Sequence, residues 1–176
     1  MSEPTHIREC IPRALADLLG GKLPCIVVDT REQTPLVIDS FPVVTEGLPV
    51  GDYGLQNFST WENPRFIIER KSLPDLIGSL TSGRARFMRE VELLRRFEFA
   101  AIVIEGNQSD VEAGEYRSTA TPESILQSLY AIEVRTNVHV KWCGDRRGAS
   151  AAVQSLARQF VRGVVKDIRR LAAVAA

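Results

Sequence analysis

Four short apolar runs divide the chain. Cys25-Ile26-Val27-Val28, Phe66-Ile67-Ile68 and Ala100-Ala101-Ile102-Val103-Ile104 are continuous, while Val138-His139-Val140-Lys141-Trp142 alternates. Runs of this length and β-branched content predict strands, and the continuous ones predict strands buried on both faces. Val50 to Leu55 reads as a further strand. Asn57, Ser59, Asn63 and Pro64 supply turn chemistry between it and Phe66, so the two predict a β-hairpin with a long loop. Pro35, Pro42, Gly47 and Pro49 make residues 33–49 an irregular connection, with one short strand expected at Phe41 to Val44.

Between the strands the apolar period lengthens. Ile7, Ile11, Leu15, Leu18 and Leu19 predict an N-terminal helix over residues 5–20, entered near Glu9 to Ile11 and stopped by Gly20-Gly21. Leu76, Ile77 and Leu80 behind a Ser72 cap predict a short helix ended by Gly83. Phe87, Val91 and Leu94 predict another from Arg84 to Phe97, and Ile125, Leu129 and Ile132 one that starts at Thr121-Pro122. Val153, Leu156, Phe160 and Val164 predict a buried stripe on a last helix from Arg147 to Ala172, and residues 107–121 read as a polar loop. Strands alternating with helices predict an α/β layer fold with a mixed sheet. At 176 residues the chain reads as one domain: a helical extension over 1–22, a core over 23–145 and a C-terminal helix over 146–176.

Composition narrows the class. With 44% hydrophobic and 25% charged residues the chain resembles an ordinary globular protein, with no stretch near the ~18 apolar residues of a membrane span. Cys10, Cys25 and Cys143 are too few and too scattered for a disulfide framework or a zinc site, which points to a reducing cytoplasm, near the nucleoid if the cell is prokaryotic. His6 and His139 cannot build a histidine metal site, and His139 reads as a strand residue. The net charge of zero argues at first against a nucleic-acid partner. Its distribution argues otherwise, because residues 65–96 carry 8 basic and 4 acidic side chains, and residues 146–176 carry 7 and 1. Such blocks can fold into a basic stripe that engages phosphates.

The candidate chemistry lies at a strand end. Side chains on a strand repeat every two residues, so Glu69 and Lys71 share a face and Arg70 points away. The hairpin brings Asp52 beside them, and Asp29 ends a neighbouring buried strand. A charged cluster at such an end is costly unless paired or coordinating a metal, and the structural alternative makes Asp29 a cap and Arg31 with Glu32 an ion pair. Phosphodiester hydrolysis assisted by a hard divalent cation needs two or three carboxylates. Asp52 and Glu69 are the first-choice ligands and Asp29 the third, with Lys71 placed to orient or help deprotonate a water.

Gly51-Asp52, followed after 16 residues by Glu69-Arg70-Lys71 and then Asp75, resembles the signature of the XPF-type nucleases, a branch of the restriction-endonuclease-like superfamily. Val28-Asp29-Thr30-Arg31-Glu32 is similar to that family's first strand motif, and Glu69 to Leu80 to its central block. Gly83-Arg84 and Ile102 to Glu105 fall where the family has counterparts, so the resemblance covers roughly residues 24–145. It implies a three-layer α/β core, with a mixed central sheet flanked by helices. It also implies an Mg²⁺- or Mn²⁺-dependent endonuclease acting on branched DNA, at flaps, forks or single-strand/double-strand junctions, in repair or recombination. By the same motif match Asp29, Asp52 and Glu69 would hold metal and Lys71 would be catalytic. Arg31, Glu32, Arg70 and Asp75 would shape the site, and Arg84, Arg86 and Arg89 would approach DNA. Family members usually add a tandem helix-hairpin-helix domain. Only about 30 residues follow Gly144, so none is expected here, and a homodimer or a protein partner would complete DNA binding. The alternative reading is a non-catalytic DNA-binding or scaffold subunit.

Overall fold

A computed structural model describes residues 18–174. Six strands form one mixed sheet in the order β2-β1-β3-β4-β5-β6. They are β1 (Ile26–Asp29), β2 (Val43–Glu46), β3 (Tyr53–Leu55), β4 (Phe66–Ser72), β5 (Phe99–Glu105) and β6 (Val138–Trp142). β3 is antiparallel to both β1 and β4, whereas β1 with β2, and β4 with β5 and β6, run parallel. The expected hairpin is therefore present as β3–β4. Five complete helices lie among the described residues: α1 (Leu73–Leu80), α2 (Arg84–Leu94), α3 (Gln108–Glu112), α4 (Pro122–Thr136) and α5 (Arg146–Val174).

The helices cover both faces of the sheet and make three layers. Val27, Ile67, Ala100, Ile102 and Ile104 point to one side, where Leu76, Leu80, Phe87, Val91, Ile125 and Leu129 of α1, α2 and α4 bury them. Ile26, Val28, Tyr53, Ile68, Ala101 and Val103 point to the other, against Ala149, Val153, Ala157, Val161 and Val164 of α5. This double burial is why the central strands read as unbroken apolar runs. The architecture is the restriction-endonuclease-like α/β layering anticipated above.

Several boundaries differ from the sequence reading. The short strand is Val43–Glu46 rather than Phe41 to Val44, because Phe41 and Leu36 turn into the core under α5. Residues 108–112 are helical, since Asn107 and Asp110 form a capping box and Val111 is fully buried. On α5 the deep stripe runs through Ala149, Val153, Ala157, Val161 and Val164, while Leu156 and Phe160 are only half-buried. Phe160 lies at the edge, with its ring centroid 5.2 Å from that of Phe66. The N-terminal helix expected over residues 5–20 lies almost wholly outside the described residues. Among the described residues no helix is long and apolar enough to cross a membrane.

Candidate active site

The site forms where β1, β3 and β4 end side by side. Val28 pairs with Tyr53 and Tyr53 with Ile68, so the next residues of the three strands, Asp29, Asp52 and Glu69, fall in one row. Backbone bonds extend that row: Asp29 N–H donates to the Asp52 carbonyl at 2.9 Å, and Asp52 N–H to the Ile68 carbonyl at 2.9 Å. Gly51 lets the chain enter it. Its φ is +75°, and a Cβ there would lie 2.9 Å from both the Ile67 side chain and the Ile68 carbonyl.

Glu69 is 2% exposed. Its Oε1 accepts from the Lys71 ammonium, while its Oε2 is buried with no hydrogen-bond partner. Asp52 Oδ2 accepts from the Arg70 backbone N–H at 2.7 Å. Burial, and then the Asp52 charge, push the Glu69 pKa up to about 8. Burial raises that of Asp52 to about 6 against the pull of the Arg70 N–H. Two adjacent desolvated carboxylates cannot both ionise cheaply, so the pair retains a proton at neutral pH. Burial lowers the Lys71 pKa, but the Glu69 contact outweighs it and the lysine stays cationic.

Asp29 reaches the row but is already bonded at both oxygens. Oδ1 accepts from Arg31 N and Nε at 2.8 and 2.6 Å, and Oδ2 from Leu48 N at 2.6 Å and Arg31 Nη2 at 3.1 Å. Burial pushes its pKa up, yet these donors outweigh burial and hold it below the usual value. The Arg31 side chain is 67% exposed at the mouth of the site, also bonded to the Leu48 carbonyl at 2.9 Å, and feels the charges of Asp52 and Glu69. Among the described residues no three Asp, Glu, His or Cys side chains are grouped closely enough to enclose a cation. Asp52 and Glu69 are thus brought together with Lys71. Asp29 stands beside them as the anchor of Arg31.

Arg70 points away from Glu69, as the strand period requires. Its Nε donates to Glu105 Oε1 at 2.7 Å and its Nη1 to Glu32 Oε2 at 3.2 Å. Burial lowers its pKa, but those carboxylates more than reverse this. Asp75 is exposed in the first turn of α1, where its N–H donates to the Ser72 cap at 3.2 Å and Ser72 Oγ donates to Asp75 Oδ2 at 2.7 Å. Arg84 donates to Ser128 Oγ at 2.9 Å, which ties α2 to α4, and like Arg86 and Arg89 it is exposed.

Two neighbours were missed in the sequence. Glu90 of α2 lies 3.8 Å from Lys71 Nζ. The signal was its place three residues after Phe87, on a helix whose apolar stripe must face the sheet. Arg146, at the start of α5, donates to the Thr34 and Pro35 carbonyls at 2.6 Å each and lies 3.5 Å from Glu105. No local signal marked it, because the loop it holds is 111–112 residues away in sequence.

Comparison with known proteins agrees with this geometry. The sequence matches the ERCC4 domain over residues 28–156. It is 34% identical over 127 residues to the DNA repair endonuclease XPF of Cricetulus griseus, covering 68% of this chain and 12% of that protein. The fold is similar to XPF from Aeropyrum pernix, with a TM-score of 0.63 and 27% identity, over 77% of this chain and 61% of the other. The same archaeal protein in complex with DNA gives 0.61 and 25%, over 80% and 66%. The chain thus spans a small part of the curated relative and less than two thirds of the solved ones. With the signature residues in one row and the matched domain covering most of its length, the chain belongs to the ERCC4 domain family and folds as an XPF-type nuclease domain.

Proposed function

We propose that this protein is a DNA endonuclease that uses Mg²⁺ or Mn²⁺ and cuts branched or partly single-stranded DNA in repair or recombination. The observation that carries the reading is Glu69: a buried carboxylate with one oxygen on a lysine, the other unpartnered, and a second desolvated acid alongside. An orphaned buried oxygen is costly, and a hard cation is a ligand that this oxygen and the neighbouring Asp52 carboxylate fit. Asp52 and Glu69 would hold it. A bound divalent cation offsets phosphate charge and acidifies water.

The chain's own groups supply the rest. Lys71, beside Glu69, would orient the attacking water and balance charge as the pentavalent phosphorus develops. Arg31 offers a mostly exposed guanidinium to a phosphate oxygen. Arg70 and Glu32 lock the end of β4 to the Arg31 loop, and Asp29 fixes the Arg31 fork. In this reading the protein works in the cytoplasm with Cys25 and Cys143 as free thiols, and a second copy or another protein completes DNA binding.

The test is cleavage of labelled flap, fork, single-stranded and plain duplex DNA with Mg²⁺ or Mn²⁺. Lys71→Ala should abolish cutting and spare binding. Absence of cleavage on every substrate with both metals, with DNA binding retained, would instead favour a non-catalytic subunit.

A further inference from the structure

Lys71 makes ion pairs with two carboxylates, and only one of them belongs to the signature. Its ammonium touches Glu69 Oε1 and lies 3.8 Å from Glu90 Oε2. It also sits 5.4 Å from the centroid of the Phe87 ring. Phe87 and Glu90 are three residues apart on α2, hence one above the other on a single side of the helix. The Lys71 and Glu90 side chains are 16% and 32% exposed, so their charges meet partly out of water. Glu90 has no other ion-pair partner among the described residues.

We propose that Glu90 is a positioning residue, which together with Phe87 receives the Lys71 ammonium when a divalent cation takes Glu69. This rests on the reading of the site given above. Once Glu69 Oε2 holds a dication, the ammonium on Oε1 faces a second positive charge across the same carboxylate, and its hold on Glu69 weakens, because like charges repel most where water is scarce. A lysine released with no second anchor has a long flexible stem and leaves for solvent. Glu90 and the face of Phe87 provide that anchor within a short swing, by charge and by cation–π attraction. Two consequences follow for the same residue. Cation uptake becomes easier, because Glu69 does not strand its partner. Lys71 also stays beside the reacting phosphate rather than drifting away.

A double-mutant cycle on Mg²⁺ affinity tests this, with the metal-free full chain titrated by calorimetry in the absence of DNA. The proteins are the parent, Glu90→Gln, Lys71→Met and the double variant. If Glu90 acts through Lys71, Glu90→Gln weakens Mg²⁺ binding roughly tenfold in the parent, as loss of an outer-shell partner does. In the Lys71→Met background it changes binding by about twofold or less. Glu90→Asp restores part of the loss, and on DNA kcat falls with little change in KM. Equal weakening in both backgrounds, or no weakening at all, overturns the proposal and makes Glu90 a plain surface charge. A parent protein that neither binds Mg²⁺ or Mn²⁺ nor cleaves DNA overturns the reading of the site itself. Intact binding and cleavage with an additive cycle overturns Glu90 alone.

Discussion

At the scale of single residues, Glu69 sets a sign that solution measurements can read. Its folded pKa of about 8 stands above the ordinary 4.5, and that of Asp52, about 6, above 3.8. Between those limits the unfolded chain releases protons that the folded site retains, so the contribution to stability is complete below the ordinary values and is lost as pH rises through the folded ones. The metal-free protein should therefore melt at progressively lower temperature from about pH 5 to pH 8. If the pair holds Mg²⁺ as proposed, Mg²⁺ should raise the melting temperature more at pH 8 than at pH 5, because a cation would bind the ionised carboxylates. Glu69→Gln should flatten this pH dependence, stabilise the metal-free protein at pH 8 and remove the Mg²⁺ effect. A melting temperature that climbs across that window would contradict the assigned protonation. Gly51 makes the companion case on stability. Gly51→Ala combines a positive φ with a Cβ 2.9 Å from backbone and side chain, and should cost about 1–3 kcal/mol in urea unfolding.

Among the elements, the strands that carry chemistry were the most legible. β4 and β5 are covered on both faces, so burial writes itself as a continuous apolar run, and the two-residue period then separates Glu69 and Lys71 from Arg70. β2 was misplaced because it is an edge strand with an exposed pattern, paired parallel to β1 and thus without a hairpin to fix its register. The five-residue α3 is too short for a helical period, and only its capping box and Val111 betray it. The fate of Asp29 was illegible for a different reason. Its partner Leu48 N–H comes from a loop 19 residues away, whose path no local pattern encodes. The same holds for Arg146, whose guanidinium clamps the Thr34–Pro35 carbonyls to Glu105 and so to Arg70. Arg146→Ala should loosen the loop that carries Arg31 and Glu32. The expected outcome is faster backbone amide exchange over residues 30–36 and a rise in KM for DNA, with α5 itself unaffected. Unchanged exchange in that segment would show that the clamp is idle.

For the whole molecule, a net charge of zero conceals a one-sided distribution. At 100° per residue, Arg147, Arg158, Arg162 and Arg169 lie within about 60° of one another along α5, on a line roughly 33 Å long. Two hollows of about 340 and 400 Å³ flank this line, lined by Arg147 and Arg158 in the first and by Arg162, Lys166 and Arg169 in the second. Arg162 and Arg169 are exposed, and no described carboxylate pairs with either. Arg84 is exposed as well, but it lies on the far layer and donates to Ser128 Oγ, which engages it between two helices. Each phosphate contact on duplex DNA contributes about 0.9 to the slope of log affinity against log salt. Arg162→Ala with Arg169→Ala should therefore weaken binding and reduce that slope by about two, while Arg84→Ala leaves the slope unchanged. If removing Arg86 and Arg89 flattens the slope and removing the α5 pair does not, the DNA crosses α2 instead. The arm leaving the site then runs past Glu90 and Lys71, not away from them along α5.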